Sequence, residues 1–144
     1  MTKRHGELYS ESHGWDMRFE SLVARILADF VDGFDSSLER MWIAEKDGER
    51  VGSIMLARHS PGVAQLRMLI VEPSARGLGV GRQLVGECVV VARDLGYQRM
   101  VLFTSRGLDA ARRLYEAEGF RLTSEEEQDT WGAPHVAQWW ELDL

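Results

Sequence analysis

Residues 66–86, LRMLIVEPSARGLGVGRQLVG, leave this chain very few local structures. An apolar run from Leu66 to Val71 stops at Glu72-Pro73 and gives way to Arg76-Gly77-Leu78-Gly79-Val80-Gly81. A helical pattern then opens with Arg82-Gln83-Leu84-Val85. Strand, glycine-rich turn and helix in that order aim a fan of backbone N–H groups from the positive end of a helix dipole. Such a fan is an anion site, and usually a phosphate site.

The spacing decides which phosphate ligand is meant. A P-loop needs G-x-x-x-x-G-K-[ST], and no Lys-Ser or Lys-Thr pair follows these glycines. A dinucleotide fingerprint needs G-x-G-x-x-G. Counting from Gly77 puts Arg82 in the third slot, and counting from Gly79 puts Leu84 there. The acid expected about 20 residues on is missing, since Gln98 and Arg99 stand in that region. What remains is R-x-x-G-x-G, read as Arg76, Gly79 and Gly81. Downstream, Ala110-Ala111-Arg112-Arg113-Leu114-Tyr115-Glu116-Ala117-Glu118-Gly119-Phe120 reads as a helix closed by a C′ glycine, with a strand beginning beyond it. Singly, the first motif could be a linking turn and Tyr115 a half-buried aromatic. Together and in this order, with a strand between them, they resemble the GNAT superfamily of N-acetyltransferases.

That resemblance implies acetyl-coenzyme A as co-substrate. Arg76, Gly77, Leu78, Gly79, Val80, Gly81 and Arg82 would hold its pyrophosphate. Leu69, Ile70 and Val71 would run along the pantetheine arm, with the backbone of Leu69 and Val71 bonding it. An amide near Leu69 would polarise the thioester carbonyl. Ser105 stands where many members carry an asparagine to the arm, and Ala111 lies on the helix beside the cofactor. Tyr115 would be the catalytic acid for the departing thiolate, a donor of pKa about 10 facing an acceptor of pKa about 8.5. The implied fold is α/β, a mixed and mostly antiparallel sheet with helices on both faces. Two of its neighbouring strands, here 63–72 and 98–104, start paired and splay apart. An opening that reads Arg4-His5-Gly6-Glu7-Leu8-Tyr9, then Gly14-Trp15-Asp16 and Arg18-Phe19-Glu20, is similar to the acetyltransferase half of bacterial proteins fused to a MarR-type winged-helix regulator.

Length and composition agree with one domain over 1–144. A chain of 144 residues can bury one proper core but not two. With 44% hydrophobic and 28% charged residues it is too polar for a membrane span. Met-Thr-Lys-Arg-His-Gly is no signal peptide, so a cytoplasmic place is expected. The single Cys88, followed by Val89-Val90, reads as core packing. No Cys/His spacing suits a metal, and none is expected. The net charge of −6 argues against general affinity for nucleic acid. Against that acidic background Arg76, Arg82, Arg106, Arg112 and Arg113 cluster in or beside the two motifs, where a triply phosphorylated ligand would dock.

Periodicity gives the remaining elements. Residues 2–6 read as a strand stub, 7–13 as a helix, and Asp16 to Phe34 as a longer helix capped by Asp16. Phe19, Leu22, Val23, Ile26, Leu27 and Phe30 form its core-facing stripe. Trp42–Glu45 and Arg50–Arg58 read as a hairpin turned at Asp47-Gly48. Strand 63–72, helix 79–95 ended by Gly96, strand 98–104, helix 107–118 and strands 120–127 and 134–143 follow.

Acetyl transfer by direct attack needs an amine, which with a pKa of about 10 arrives protonated and needs a base. Several GNAT enzymes carry a glutamate early on the strand at 63–72. Ala64 to Ile70 has no carboxylate, its nearest polar group is Gln65, and Glu72 lies at the far end. A water chain or a side chain such as Glu7, Tyr9 or Glu20 is expected instead. The acceptor wall would draw on Tyr9, Trp15, Trp42, Trp131, Trp139 and Trp140 with Glu7, Glu11, Asp16 and Glu20, a setting for a small cation. The alternation Val136, Gln138, Trp140, Leu142 places part of that set in the core. A small amine or amino acid is favoured over a protein lysine. The rival reading is a non-catalytic acyl-CoA-sensing module, and a homodimer is compatible with either.

Overall fold

Asp47 and Gly48 both adopt positive φ, 52° and 80°, the two left-handed residues of a tight hairpin turn. They join β1 (Arg40–Lys46) to β2 (Glu49–Ser60), and a second turn at Gly62 leads into β3 (Val63–Val71). The computed structural model describes residues 17–129 and 134–144, with side chains from Ser21 onward. The expected strand 2–6, helix 7–13 and Asp16 cap lie outside the described residues.

Helix α1 (Met17–Asp32) precedes β1 and ends two residues short of the expected Phe34. Phe34, beyond Gly33, is exposed, its ring tilted 5.3 Å from that of Phe30. After β3 a short 3-10 turn at Pro73–Ala75 leads to α2 (Val80–Asp94), then β4 (Arg99–Ser105), α3 (Asp109–Glu118), β5 (Arg121–Gln128) and β6 (His135–Asp143). Each boundary falls within two residues of its sequence expectation. Phe120 is corrected from first strand residue to the buried residue that follows a helix cap. Its N–H bonds the Tyr115 carbonyl while Gly119 N–H bonds that of Glu116, a Schellman closure. The same closure ends α2, with Tyr97 N–H to Ala92 and Gly96 N–H to Arg93.

The six strands form one sheet in the order β1-β2-β3-β4-β6-β5. All neighbours are antiparallel except β3 and β4. One face carries α2, whose buried stripe Leu84, Val85, Cys88, Val89 and Ala92 recurs at helical spacing. It packs on Ile54, Leu56, Leu66, Met100, Leu102, Trp140 and Leu142, together with Tyr115 of α3. The other face carries α1, where Val23 packs with Leu22, Leu27, Met68, Phe103 and Leu108. The fold is the expected mixed sheet covered on both sides.

Candidate functional site

The parallel ladder between β3 and β4 is short. It runs from Val63 opposite Arg99 to Leu66 opposite Leu102 and goes no further, although β3 continues to Val71 and β4 to Ser105. A β-bulge explains why. Ser53 faces Ile70 and Met55 faces Arg67, so β3 spends three steps where β2 spends two. Met68, with φ at 58°, takes up the extra step and turns β3 away from its neighbour. Beyond the bulge, Glu72 N–H bonds the Val51 carbonyl at 2.8 Å. Antiparallel alternation then turns the N–H and C=O of Ile70 toward β2 and those of Leu69 and Val71 toward the parted edge.

The glycine loop stands at the open end of that parting. Gly77 and Gly79 have φ of 82° and 81°, and a Cβ built on either meets nothing within 4 Å. Gly79 caps α2 without any side-chain bond. The first N–H groups of the helix, on Val80, Gly81 and Arg82, have no partner within it by helix geometry. Leu78 is half exposed, and Arg76 and Arg82 are exposed. Gly81 serves a different end. Its Cβ position lies 2.8 Å from Leu114 Cδ1 and 3.4 Å from Val71 Cγ2, so its bareness lets α2, α3 and β3 close together. Gly52, passed over in the sequence, does the same beneath α2, with Val80 and Leu84 atoms 3.1 Å from its Cβ position.

Tyr115 sits at the C-terminal end of α3, 5% exposed, in edge contact with Phe120 at 5.9 Å between ring centroids. Ala111 and Leu114 pack beside it on the same cluster. Ser105 ends β4, 3% exposed, and its hydroxyl has no partner among the described residues. Cys88 is fully buried, which pushes its thiol up to about 12 and leaves it no part in the chemistry.

Two expectations need correction. The arginine cluster is not uniformly free for phosphate: Arg106 holds Glu125 at 2.7 Å, and Arg112 lies between Asp109 and Glu116 at 3.7 and 3.8 Å. The aromatic wall also shrinks. Trp42 and Trp140 belong to the core under α2, and the Trp140 indole donates to Gln138 Oε1. Only Trp139 of the described members stands on the α1 face, 5.1 Å from the Phe103 ring. Tyr9, Trp15, Trp131, Glu7 and Glu11 lie outside the described residues, as does the side chain of Glu20. An open cavity of about 620 Å³ on the flank of α3, lined by Ser105, Arg106, Arg112, Gln138 and Trp140 among others, includes no residue of the glycine loop. There Gln138, and after it Arg106, hold the Glu125 carboxyl below the usual carboxylate range.

Sequence reasoning also missed Arg67. It is the only charge in the strand Val63–Val71, and the apolar letters around it hid it. Burial lowers its pKa against the counter-effect of Asp29.

The Acetyltransferase (GNAT) family model matches residues 5–120. The chain belongs to the GNAT acetyltransferase family. An uncharacterised N-acetyltransferase of Schizosaccharomyces pombe is 32% identical over 117 residues, 80% of this chain and 71% of that one. Rat N-acetyltransferase 8 is 36% identical over 62% of the chain, and a mycothiol acetyltransferase of Thermomonospora curvata 34% over 56%. The chain spans only 44% and 27% of the length of those two. A Bacillus subtilis acetyltransferase solved with CoA superposes with a TM-score of 0.68 over 83% of both chains, at 21% identity. A GNAT acetyltransferase of Elizabethkingia anophelis with acetyl-CoA bound gives 0.67 over 83% of this chain and 82% of that one, at 17% identity. By family the domain is an acetyltransferase, and its likeness to these two solved structures is one of fold. No helix among its described residues is long and apolar enough to cross a membrane.

Proposed function

We propose that this GNAT domain moves the acetyl group of acetyl-CoA to the primary amine of a small molecule or amino acid, by direct attack with both substrates bound. The observation that carries the reading is the parting of β3 from β4 directly below an α2 terminus rich in unpaired donors. Unsatisfied backbone groups of Leu69 and Val71 suit an amide-bearing arm laid along the parted edge. The lone hydroxyl of Ser105 suits the same arm from the β4 side, and the open space over Gly77 and Gly79 admits a diphosphate against the backbone.

Acetyl-CoA supplies an acetyl thioester, already activated toward amines. The chain's own groups then do four things. The N–H groups of Val80, Gly81 and Arg82, with the Arg76 side chain, hold the phosphates. The backbone of Leu69 and Val71 fixes the arm. An amide near Leu69 donates to the carbonyl oxygen as negative charge builds there. The Tyr115 hydroxyl gives its proton to the leaving sulfur. The proton of the amine goes to water or to Glu7, Tyr9 or Glu20, since β3 carries no carboxylate between Val63 and Val71.

A relative named for mycothiol supports a small-molecule acceptor. The missing β3 carboxylate favours the second reading, an acyl-CoA sensor, and the likeness of the 4–20 segment to regulator-fused domains belongs with it. Thiol release from acetyl-CoA, measured across amines, amino acids and peptides, separates the two. Turnover on a small amine is expected. Tight acetyl-CoA binding with no turnover on any acceptor would establish the sensor instead.

A further inference from the structure

We infer that Arg67 selects amine acceptors that carry a carboxylate, an inference that rests on the acetyl-transfer reading above. The β2–β3 register sets Arg67 directly opposite Met55, while Leu56 and its partner Leu66 point into the core beneath α2. Alternation therefore projects Arg67 to the α1 face. The bulge residue Met68 follows it, packed against Val23, and Leu69 with its outward backbone comes next. Only the bulge residue Met68 separates Arg67 from Leu69, so their Cα atoms lie closer than two extended strand steps of about 3.3 Å each. The Arg67 stem is long enough for its guanidinium to serve the space in front of the parted edge.

The surroundings leave this guanidinium under-used. It is half-buried, and among the described residues no hydrogen bond or ion pair within 4.0 Å engages it. Asp29 of α1 acts on it only at longer range. Five donors in a planar fork, partly desolvated and without an acceptor among the described residues, match one ligand class well: a carboxylate taken bidentately. A phosphate would suit the fork too, but the phosphate donors of this fold lie at the other end of the parting, at Gly79–Arg82. An amine tethered to a carboxylate by a few bonds would then be anchored at Arg67 and face the thioester near Leu69. An arginine that only ties α1 to the sheet would have Asp29 as its working partner. The two roles predict opposite effects of removing that acid.

The test is thiol release from acetyl-CoA with matched acceptor pairs: each standard amino acid, β-alanine and γ-aminobutyrate against its carboxamide. Wild-type protein is expected to prefer the acid within a pair. Arg67→Gln should raise KM for acids about tenfold, the scale of one bidentate charged contact, while leaving the amides within about twofold. Arg67→Lys should restore part of the loss, a point charge replacing a fork. Asp29→Asn should lower KM for acids and leave thermal stability unchanged. Equal use of acid and amide by the wild type, equal loss on both in Arg67→Gln, or destabilisation without a KM change in Asp29→Asn would overturn the assignment to Arg67 and leave acetyl transfer standing. Thiol release with no acceptor at all would overturn acetyl transfer and this inference with it.

Discussion

The Tyr115 ring is buried against Phe120 at the end of a helix, and that packing remains when the hydroxyl is deleted. Tyr115→Phe should therefore keep acetyl-CoA affinity, by calorimetry, within about twofold while turnover falls about 10²–10⁴-fold, the usual contribution of a positioned general acid. Single-turnover measurement excludes masking by product release. Near wild-type rates in both regimes would reduce Tyr115 to a packing residue. The two loop glycines call for different handling. Gly79→Asp places a carboxylate in open space at a left-handed position that Asp tolerates, and should abolish acetyl-CoA binding with little loss of fold. Gly81→Asp cannot serve that purpose, because its Cβ would press on Leu114 and upset the helix pair. Unchanged affinity in Gly79→Asp would remove the loop from the binding site. Arg76 is exposed and free of ion pairs among the described residues, so Arg76→Ala tests phosphate contact without a structural side effect. It should weaken coenzyme A by about 1–3 kcal/mol and a truncated pantetheine much less. Equal losses would make Arg76 a support for the loop alone.

At the scale of elements, α3 is closed by a glycine that sequence alone identified, and the closure orients the helix that carries Tyr115. Gly119 has φ of 101°, and a Cβ there would sit 3.3 Å from Leu142 Cδ1. Gly119→Ala should cost about 1–2 kcal/mol from the left-handed backbone alone, read as a fall of a few degrees in Tm. An unchanged Tm would mean the α3 end relaxes freely. The elements legible in the sequence share a local origin. The turn at Asp47-Gly48, the caps at Gly96 and Gly119 and the stripe of α2 are each written within one or two turns of chain. The bulge at Met68 is not, because an ordinary methionine forced to positive φ leaves no mark in its own neighbourhood. It arises from register with β2, which is a property of two segments. Arg67 went unread for the same reason, since only the register says which face it joins. In the aromatic wall, the alternation Val136, Gln138, Trp140, Leu142 already separates Trp140 from its exposed neighbour Trp139, whereas nothing local to β1 assigns Trp42 to the core. The glycines split likewise: Gly79 is explained by its own dihedral, Gly81 only by Leu114 across the gap.

For the whole molecule, the parting of β3 and β4 has a thermodynamic reading. Two three-stranded blocks, β1-β2-β3 and β4-β6-β5, are joined in the sheet by four residue pairs only, from Val63–Arg99 to Leu66–Leu102. A ligand bonded to both Leu69–Val71 and Ser105 would add rungs to that seam. By mass action, acetyl-CoA at one hundred times its Kd should stabilise the fold by about 2.7 kcal/mol. For a chain of this size that is a rise of about 5–10 °C in Tm. Amide exchange should slow most in 67–71 and 103–105, the stretches beyond the last pair. Uniform protection across the sheet would show that the ligand does not bridge the seam. If the seam opens first, protease susceptibility follows ligand supply. The survival of this protein in a cell short of acetyl-CoA should then be shorter than in one that is replete, so that the amount of enzyme tracks the availability of what it consumes.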